Sequence, residues 1–417
     1  PRSAKIHTIV QKTLPTKEIF KTFCIKTSMH TQQKEAVIPA DIALCKKCKR
    51  ELFNPKNRRY LYPFISCMDC GGRYSLINAL PYDRHQTTMA EFRMCEKCKK
   101  EYENPLSRRF HSQINCCSNC GPKLFFTRIF KQESFSMYVP DSKIHSFLEG
   151  SKEPLSDAIH ALKNGEILAL KGVGGYTLVC DATNKDSIRR LRLRKNRPTK
   201  PFAIMCKDIK MARLFAVLKP KELNLLTSCI APIVLSKSKN SMLPLEDVAP
   251  NLSTLGIILP YAPLHYLLFK SLDFPLIFTS ANLSGEPIIK DYYQIHQKLS
   301  AVCDAALFYD RDISNPVDDS LVRVISDEIQ VLRRARGYLC DIPLECEYRQ
   351  NAVALGAQQK VTFTFCHKNK VLLSPHLGDL DNLESFENAK KTLNLFSKKY
   401  EIIRPFRQGT IPEDSPW

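Results

Sequence analysis

The sequence predicts an α/β protein: a mixed, twisted sheet preceded by two small tandem zinc-binding modules. Three observations carry this. Paired Cys-x-x-Cys knuckles account for much of the chain's 17 cysteines and occur as two like-spaced sets. Between Leu155 and Pro343, short apolar runs bounded by proline, glycine or serine alternate with amphipathic stretches. An apolar content of 44% in 417 residues is that of a globular chain with room for two or three domains.

The modules come first. Eighteen residues separate the pair Cys45 and Cys48 from Cys67 and Cys70, and eighteen separate Cys95 and Cys98 from Cys117 and Cys120. The second set repeats the first at a shift of fifty: "CKKCKRELFNPKNRR" aligns with "CEKCKKEYENPLSRR", and each set closes on a glycine, Gly71 or Gly121. The stretch "CMDCGGRYSLINALPYDRHQTTMAEFRMCEKC" is therefore a seam between modules. Tetrahedral Zn2+ takes four thiolates, and two knuckles joined by such a loop wrap one ion. An iron–sulfur cluster and a disulfide set are the alternatives. The even spacing and the duplication favour zinc, and nothing at the N-terminus resembles a secretory signal that would lead to an oxidising compartment. Four thiolates leave no open coordination position, so the two ions are expected to be structural. Cys116 is out of phase with the repeat and reads as a bystander.

The elements of the α/β region follow in order. "LSDAIHALKNG" reads as an amphipathic helix ending at Gly165, "EILALKG" as a buried strand, and "KDSIRRLRLRK" as a second helix. "PFAIMC", "PIVLSK", "GIILP" and "PLIFTS" are short strands, and "SLVRVI" with "IQVLRRA" forms a further pair. Hairpins among so many strands predict a mixed sheet. The glycines of "LKGVGGYTLVCDA" follow a strand but lack the spacing of a known phosphate loop. Lys195 and Arg197 in "KNRPTKP", Ser280 and Asn282 in "TSANLSGEP", and Arg336 in "RRARGY" together offer cations and directional donors suited to a triphosphate.

The net charge of +20 attracts nucleic acid, acidic protein or phosphorylated small molecules, and it peaks in the modules and in "RRLRLRKNRPTK". A solvated helix face is the plain alternative for that run. Pro260, Pro263 and His265 break the longest apolar stretch, so no membrane span is expected and a cytoplasmic location is.

The paired modules resemble the HypF-type zinc fingers of the hydrogenase maturation carbamoyltransferases. "KGVGGYTLVCDATN", "LRLRKNRPTKPFAIM", "FTSANLSGEP", "DDSLVRVI" and "LRRARGY" are similar to the YrdC-like domain of that family, and "ALGAQQKVTFTFCHKNKVLLSPHLGDLDNLESF" resembles the start of its Kae-type carbamoyl-transfer domain. The resemblance runs from about Phe23 to Ser397 in the family's own order. It implies six segments: an N-terminal remnant ending in the last strand of an acylphosphatase domain (1–40), zinc finger 1 (41–90), zinc finger 2 (91–128), a YrdC-like adenylation domain (150–343), a truncated start of the Kae-type domain (350–400), and a tail (401–417). The expectation is a truncated copy. "FCIKTS" at Phe23 matches only the acylphosphatase domain's last strand, and the chain stops after Ser374, His376, Gly378 and Asp379, before the paired metal-binding histidines of the family. Two deviations are Val361 in place of asparagine and Pro316 in place of an arginine.

In the family, carbamate released from carbamoyl phosphate is adenylated with ATP and Mg2+, and the carbamoyl group passes to the C-terminal cysteine of HypE on the way to the cyanide ligand of a nickel–iron hydrogenase. Carried over, Lys195 and Arg197 would hold ATP phosphates, and Ser280 and Asn282 would fix phosphate oxygens or a magnesium shell. Lys171, Gly174 and Gly175 would line the cavity, with Lys200, Ser320 and Arg336 as second-line ligands. The partners implied are a HypE-like acceptor and carbamoyl phosphate or carbamate. Other classes compete: a protein gripping double-stranded RNA or tRNA through the basic face, a threonylcarbamoyl-adenylate enzyme, and a nonfunctional remnant.

Overall fold

The structure, a computed structural model, describes residues 39–79, 81–129, 138–146, 151–239, 242–339, 342–343, 352–367 and 370–400. The strand expected at Phe23 and the 401–417 tail lie outside them.

In each module a short helix starts on the first knuckle: α1 (Lys46–Leu52) and α2 (Glu96–Glu103). Cys45 caps α1, its sulfur accepting a hydrogen bond from the Cys48 amide at 3.4 Å, so one knuckle serves both as cap and as ligand pair. The chain then enters a large sheet through β1 (Leu124–Arg128). There follow α3 (Pro154–Lys163), β2 (Leu168–Lys171), β3 (Tyr176–Asp181), α4 (Lys185–Arg194), β4 (Ala203–Met205), α5 (Ile209–Phe215) and β5 (Ala216–Val217). Next come α6 (Pro220–Leu226), β6 (Ile233–Ser238), α7 (Leu245–Val248), β7 (Thr254–Ile258), α8 (Pro263–Leu268) and β8 (Leu276–Ser280). The sheet is completed by α9 (Tyr292–Leu299), β9 (Ala305–Tyr309), β10 (Leu321–Ile325) and β11 (Glu328–Arg333).

The strand order is β1-β9-β2-β3-β8-β4-β7-β6-β10-β11, with β5 paired to β6. Parallel pairs (β2 with β9, β4 with β7, β6 with β10) sit among antiparallel ones, so the sheet is mixed. Side chains alternate across it: Ala169, Leu178, Ile204, Ile257 and Ile277 face a core with α4, α5 and α9. Leu168, Leu170, Val179, Ile258 and Phe278 face another core with α3 and α8. Burial on both faces is why these strands read as continuous apolar runs.

The C-terminal segment forms a second antiparallel sheet from β12 (Ile342–Pro343), β13 (Ala352–Ala354), β14 (Thr364–His367) and β15 (Lys370–Leu373), followed by α10 (Leu383–Tyr400). It is docked. Val361, Phe363, Phe365, Leu372 and Leu377 share one core with Tyr74 and Ile77 of the first module and with Val317, Ala335 and Leu339 of the large sheet's border. The first module also rests on the α/β domain, where Leu52, Ile65 and its cysteines pack on Leu267 of α8.

Candidate functional site

The antiparallel pairing of β4 with β8, in register at Ala203 and Phe278, puts the segment before β4 over the end of β8. That register joins two motifs far apart in sequence. Helix α4 ends in a Schellman turn: Asn196, at φ 48°, donates its amide to the Leu193 carbonyl and Arg197 donates to Arg192. Asparagine tolerates this left-handed position and Pro198 forbids another turn, so Lys195 is released toward β8. Lys195 Nζ donates to the carbonyls of Ser280 (2.9 Å) and Asn282 (2.6 Å) and to Asn282 Oδ1 (3.2 Å). Ser280 Oγ donates to the same Oδ1 at 2.8 Å, and Asn282 Nδ2 donates to the Glu286 carbonyl at 2.7 Å. This network gathers the two carbonyls and the Asn282 side-chain oxygen of the serine–asparagine turn around one ammonium.

A cleft of about 440 Å³ opens over it, lined by Lys195, Arg197, Lys200, Ser280 and Asn282 together with Arg333. A second hollow of about 280 Å³ continues it over the sheet, sharing Arg197, Lys200 and Ser280 and adding Phe202, Leu235 and Phe278. The two share cations, and the second adds an aromatic and aliphatic wall to them. The cations strain one another. Burial, then the nearby Arg197 and Lys200, push the Lys195 amine down to about 7. Burial, then Arg192 and Arg333, bring Arg197 down to about 10. A site that crowds cations against their preference is poised for an anion, whose arrival relieves the repulsion.

The other expected site residues lie elsewhere. Lys171 is fully buried, its Nζ 2.6 Å from Asp141 Oδ2 and donating to the carbonyls of Tyr309 and Arg311. Arg336 is likewise enclosed, ion-paired with Asp319 at 2.6 Å, bonded to the carbonyls of Ile230 and Ala231, and stacked 3.5 Å from the Tyr261 ring centre. The ammonium of Lys171, like that of Lys195, spends its three donors on protein acceptors, but Lys171 and Arg336 each face a carboxylate that neutralises the charge, whereas the acceptors of Lys195 are uncharged. Ser320 is buried, accepting from the Ala335 amide and donating to the Arg336 carbonyl. Gly174 allows close backbone passage: a Cβ there would meet Val317 at 2.4 Å, and one at Gly175 would meet Ile288 at 2.7 Å. None of these five is among the residues lining the two hollows.

Sequence reasoning passed over Asp318, Arg333, His376 and Asp379 as cleft residues; all four line it. The paired carboxylates of "VDDS" were the available signal for Asp318. His376 reaches the cleft only because the C-terminal sheet docks there, its Nδ1 3.6 Å from Asp318 Oδ2, and burial lowers its basicity. The backbone seals the join: the Asp379 amide donates to the Gly285 carbonyl at 2.8 Å, and Gly378, at φ 93°, leaves no room for a Cβ against that carbonyl.

The arginines of α4 each meet an acceptor of the protein at the surface. Arg189 pairs with Asp247, Arg190 bonds the Gly165 carbonyl, Arg194 pairs with Asp304, and Arg192 staples the carbonyls of Arg197, Pro198 and Lys200. Arg189, Arg190 and Arg194 are solvent-exposed, so the run is a solvated face whose guanidinium groups are tied to the protein's own acceptors, and its end lies in the cleft.

Two groups of four cysteines each hold their sulfurs within 4.8 Å of one another: Cys45, Cys48, Cys67, Cys70 and Cys95, Cys98, Cys117, Cys120. Sulfurs at 3.8 Å (Cys45 to Cys67, Cys67 to Cys70, Cys95 to Cys117, Cys117 to Cys120) have the edge length of a tetrahedron about a zinc with Zn–S of about 2.3 Å. Both sets fit zinc. Cys116 is not a member; it is buried between the modules, with the Tyr62 hydroxyl 3.6 Å from its sulfur.

Comparison with known proteins follows the same division. The family described as HypF finger matches residues 44–77 and 94–127, the family described as Telomere recombination, of Sua5, YciO and YrdC type, matches 160–335, and the HypF Kae1-like domain matches 347–406. The carbamoyltransferase HypF of Synechocystis is 42% identical over 388 residues, covering 92% of this chain and 48% of the relative. A crystal structure of full-length HypF in a phosphate- and nucleotide-bound form is 39% identical with a TM-score of 0.81, and that of T. kodakarensis HypF is 40% identical with a TM-score of 0.80; each alignment covers 88% of this chain and 46% of the other. The chain spans about half the length of the curated relatives it matches.

Proposed function

Because this chain belongs to the HypF family, we propose that its cleft binds ATP and activates carbamate as carbamoyl adenylate for a HypE-like acceptor in hydrogenase maturation. The observation that carries the reading is the convergence of Lys195, Arg197, Ser280 and Asn282 on one cation-crowded cleft. The wall of Phe202, Leu235 and Phe278 suits a nucleoside, and Lys195 with the cations shared by both hollows, Arg197, Lys200 and Arg333, suits its phosphates. A carbamate oxygen attacks the α-phosphorus, the bond from that phosphorus to the bridging oxygen breaks, and pyrophosphate leaves. Lys195 and Arg197 offset the charge that gathers on the leaving phosphates. Mg2+ binds through one or two carboxylates plus phosphate oxygens, and Asp318 is a carboxylate suited to it in this cleft.

Carbamoyl phosphate as the upstream donor and a thiol-bearing acceptor downstream follow from the family's path and belong to this proposal. Nucleic-acid binding has less support, since the exposed arginines of α4 are each held by an acceptor of the protein. A threonine-derived substrate is a separate outcome of the test. Zinc-loaded protein with ATP, Mg2+ and labelled carbamate is expected to yield a labelled mixed anhydride with AMP, detectable by mass spectrometry. Protein that binds ATP yet forms no such anhydride, or forms one only from threonine and bicarbonate, would overturn the assignment.

A further inference from the structure

The duplicated segment "NPKNRR" and its repeat "NPLSRR" each end in an arginine pair that does not serve its own metal site. Arg58, in the first module, donates to Cys98 Sγ of the second at 3.2 Å and to Glu101 at 2.6 Å. Arg59 beside it is fully buried, donating to Glu101, to the Cys116 carbonyl at 2.7 Å and to Asn115 Oδ1 at 2.9 Å. Fifty residues on, the relation is reversed. Arg108, in the second module, reaches Cys48 Sγ at 3.4 Å and Cys67 Sγ at 3.5 Å in the first, with Glu51 at 2.8 Å, and Arg109 donates to Glu51 and to the Ser66 carbonyl. The exchange is reinforced by packing. A Cβ at Gly71 would strike Ile114 at 2.4 Å, and one at Gly121 would strike the Tyr62 hydroxyl at 2.2 Å, so the glycine closing each set lets the other module approach.

We infer that the two zinc sites form one cooperative unit, in which each ion's thiolate shell is completed by arginines that the other ion holds in place. A zinc ion with four thiolates carries two net negative charges, and guanidinium donors to sulfur offset them. The donor loop follows directly from the helix that bears ligands of its own site: α1 carries Cys48 and leads to Arg58, and α2 carries Cys98 and leads to Arg108. Metal in one site therefore orders the arginines the other site needs. Such coupling is reciprocal by linkage, and loss of an outer partner to a metal ligand costs about 10–100-fold in affinity.

The test uses the full chain loaded with zinc and challenged with increasing chelator, release being followed with a zinc-responsive dye and elemental analysis. Both ions are expected to leave the native protein in one transition. Arg58→Gln, which leaves all eight cysteines intact, should weaken retention at the second site about 10–100-fold and split release into two steps, and Arg108→Gln should do the same for the first. A chain bearing Cys95→Ser and Cys117→Ser should hold its remaining zinc at least about tenfold more weakly than the native protein. Two independent release steps in the native protein, with retention unchanged in both arginine variants and in the single-site chain, would overturn the inference. If Arg58→Gln does not fold, Arg58→Lys, which keeps the charge and loses the planar fork, carries the same comparison.

Discussion

Lys195 Nζ lies 2.6 Å from the Asn282 carbonyl and 3.2 Å from its side-chain oxygen, so two motifs nearly ninety residues apart in sequence meet at a single ammonium. Lys195→Ala removes a buried cation facing the cleft. The expected result is a loss of at least about tenfold in ATP affinity, the worth of one charge-assisted hydrogen bond. Titration calorimetry reads the affinity, and circular dichroism should show the fold retained.

The same lysine makes ATP binding depend on pH. Burial and the neighbouring Arg197 and Lys200 hold its amine at about 7 without ligand, and bound phosphates raise it. Binding then takes up a proton near neutrality, and affinity falls as pH rises above about 7, by up to about tenfold per unit. Below 7 this group adds no slope. Calorimetry in buffers of different ionisation enthalpy measures the proton uptake, and Lys195→Arg should flatten the profile. For folding the sign is the opposite of a salt bridge's. The folded value is below the ordinary lysine value, the unfolded chain binds more protons between the two, and this group's contribution to stability rises with pH across that window.

Asn282→Ala leaves the Glu286 carbonyl without its side-chain donor and takes an acceptor from both Lys195 and Ser280. A stability loss of about 1–3 kcal/mol is expected. Urea unfolding reads it, and a parallel fall in ATP affinity would follow from the loosened turn.

Lys171→Met strands the Asp141 carboxylate in the core, where the pair is buried completely. Breaking a buried pair from one side costs about 3–5 kcal/mol. Chemical denaturation should show that loss, while ATP affinity of the folded variant stays near that of the native protein. An affinity loss with unchanged stability would restore Lys171 to the ligand site.

The sequence was legible where local pattern dictates the answer. The apolar runs around Leu168, Ile204, Ile257 and Ile277 are strands because both faces of the sheet are covered, and the knuckle spacing puts four sulfurs around one point. The motif of lysine and arginine and that of serine and asparagine were legible as candidate ligands; their meeting depends on the β4–β8 register, which no local pattern reveals. Lys171, Arg336 and Lys195 look alike in a sequence; the structure sets the first two against carboxylates and places the third at a cleft. The repeat of Arg58 and Arg59 at Arg108 and Arg109 was visible, but the exchange of partners between modules was not. His376 enters the cleft through docking of a separate sheet.

ATP–pyrophosphate exchange by zinc-loaded protein tests the central claim most directly, run in parallel with no acyl donor, with carbamoyl phosphate, with carbamate, and with threonine plus bicarbonate. The cleft predicts exchange that requires carbamate and is lost in Lys195→Ala. No exchange with any donor in protein that binds ATP, or exchange with threonine and bicarbonate alone, would contradict it.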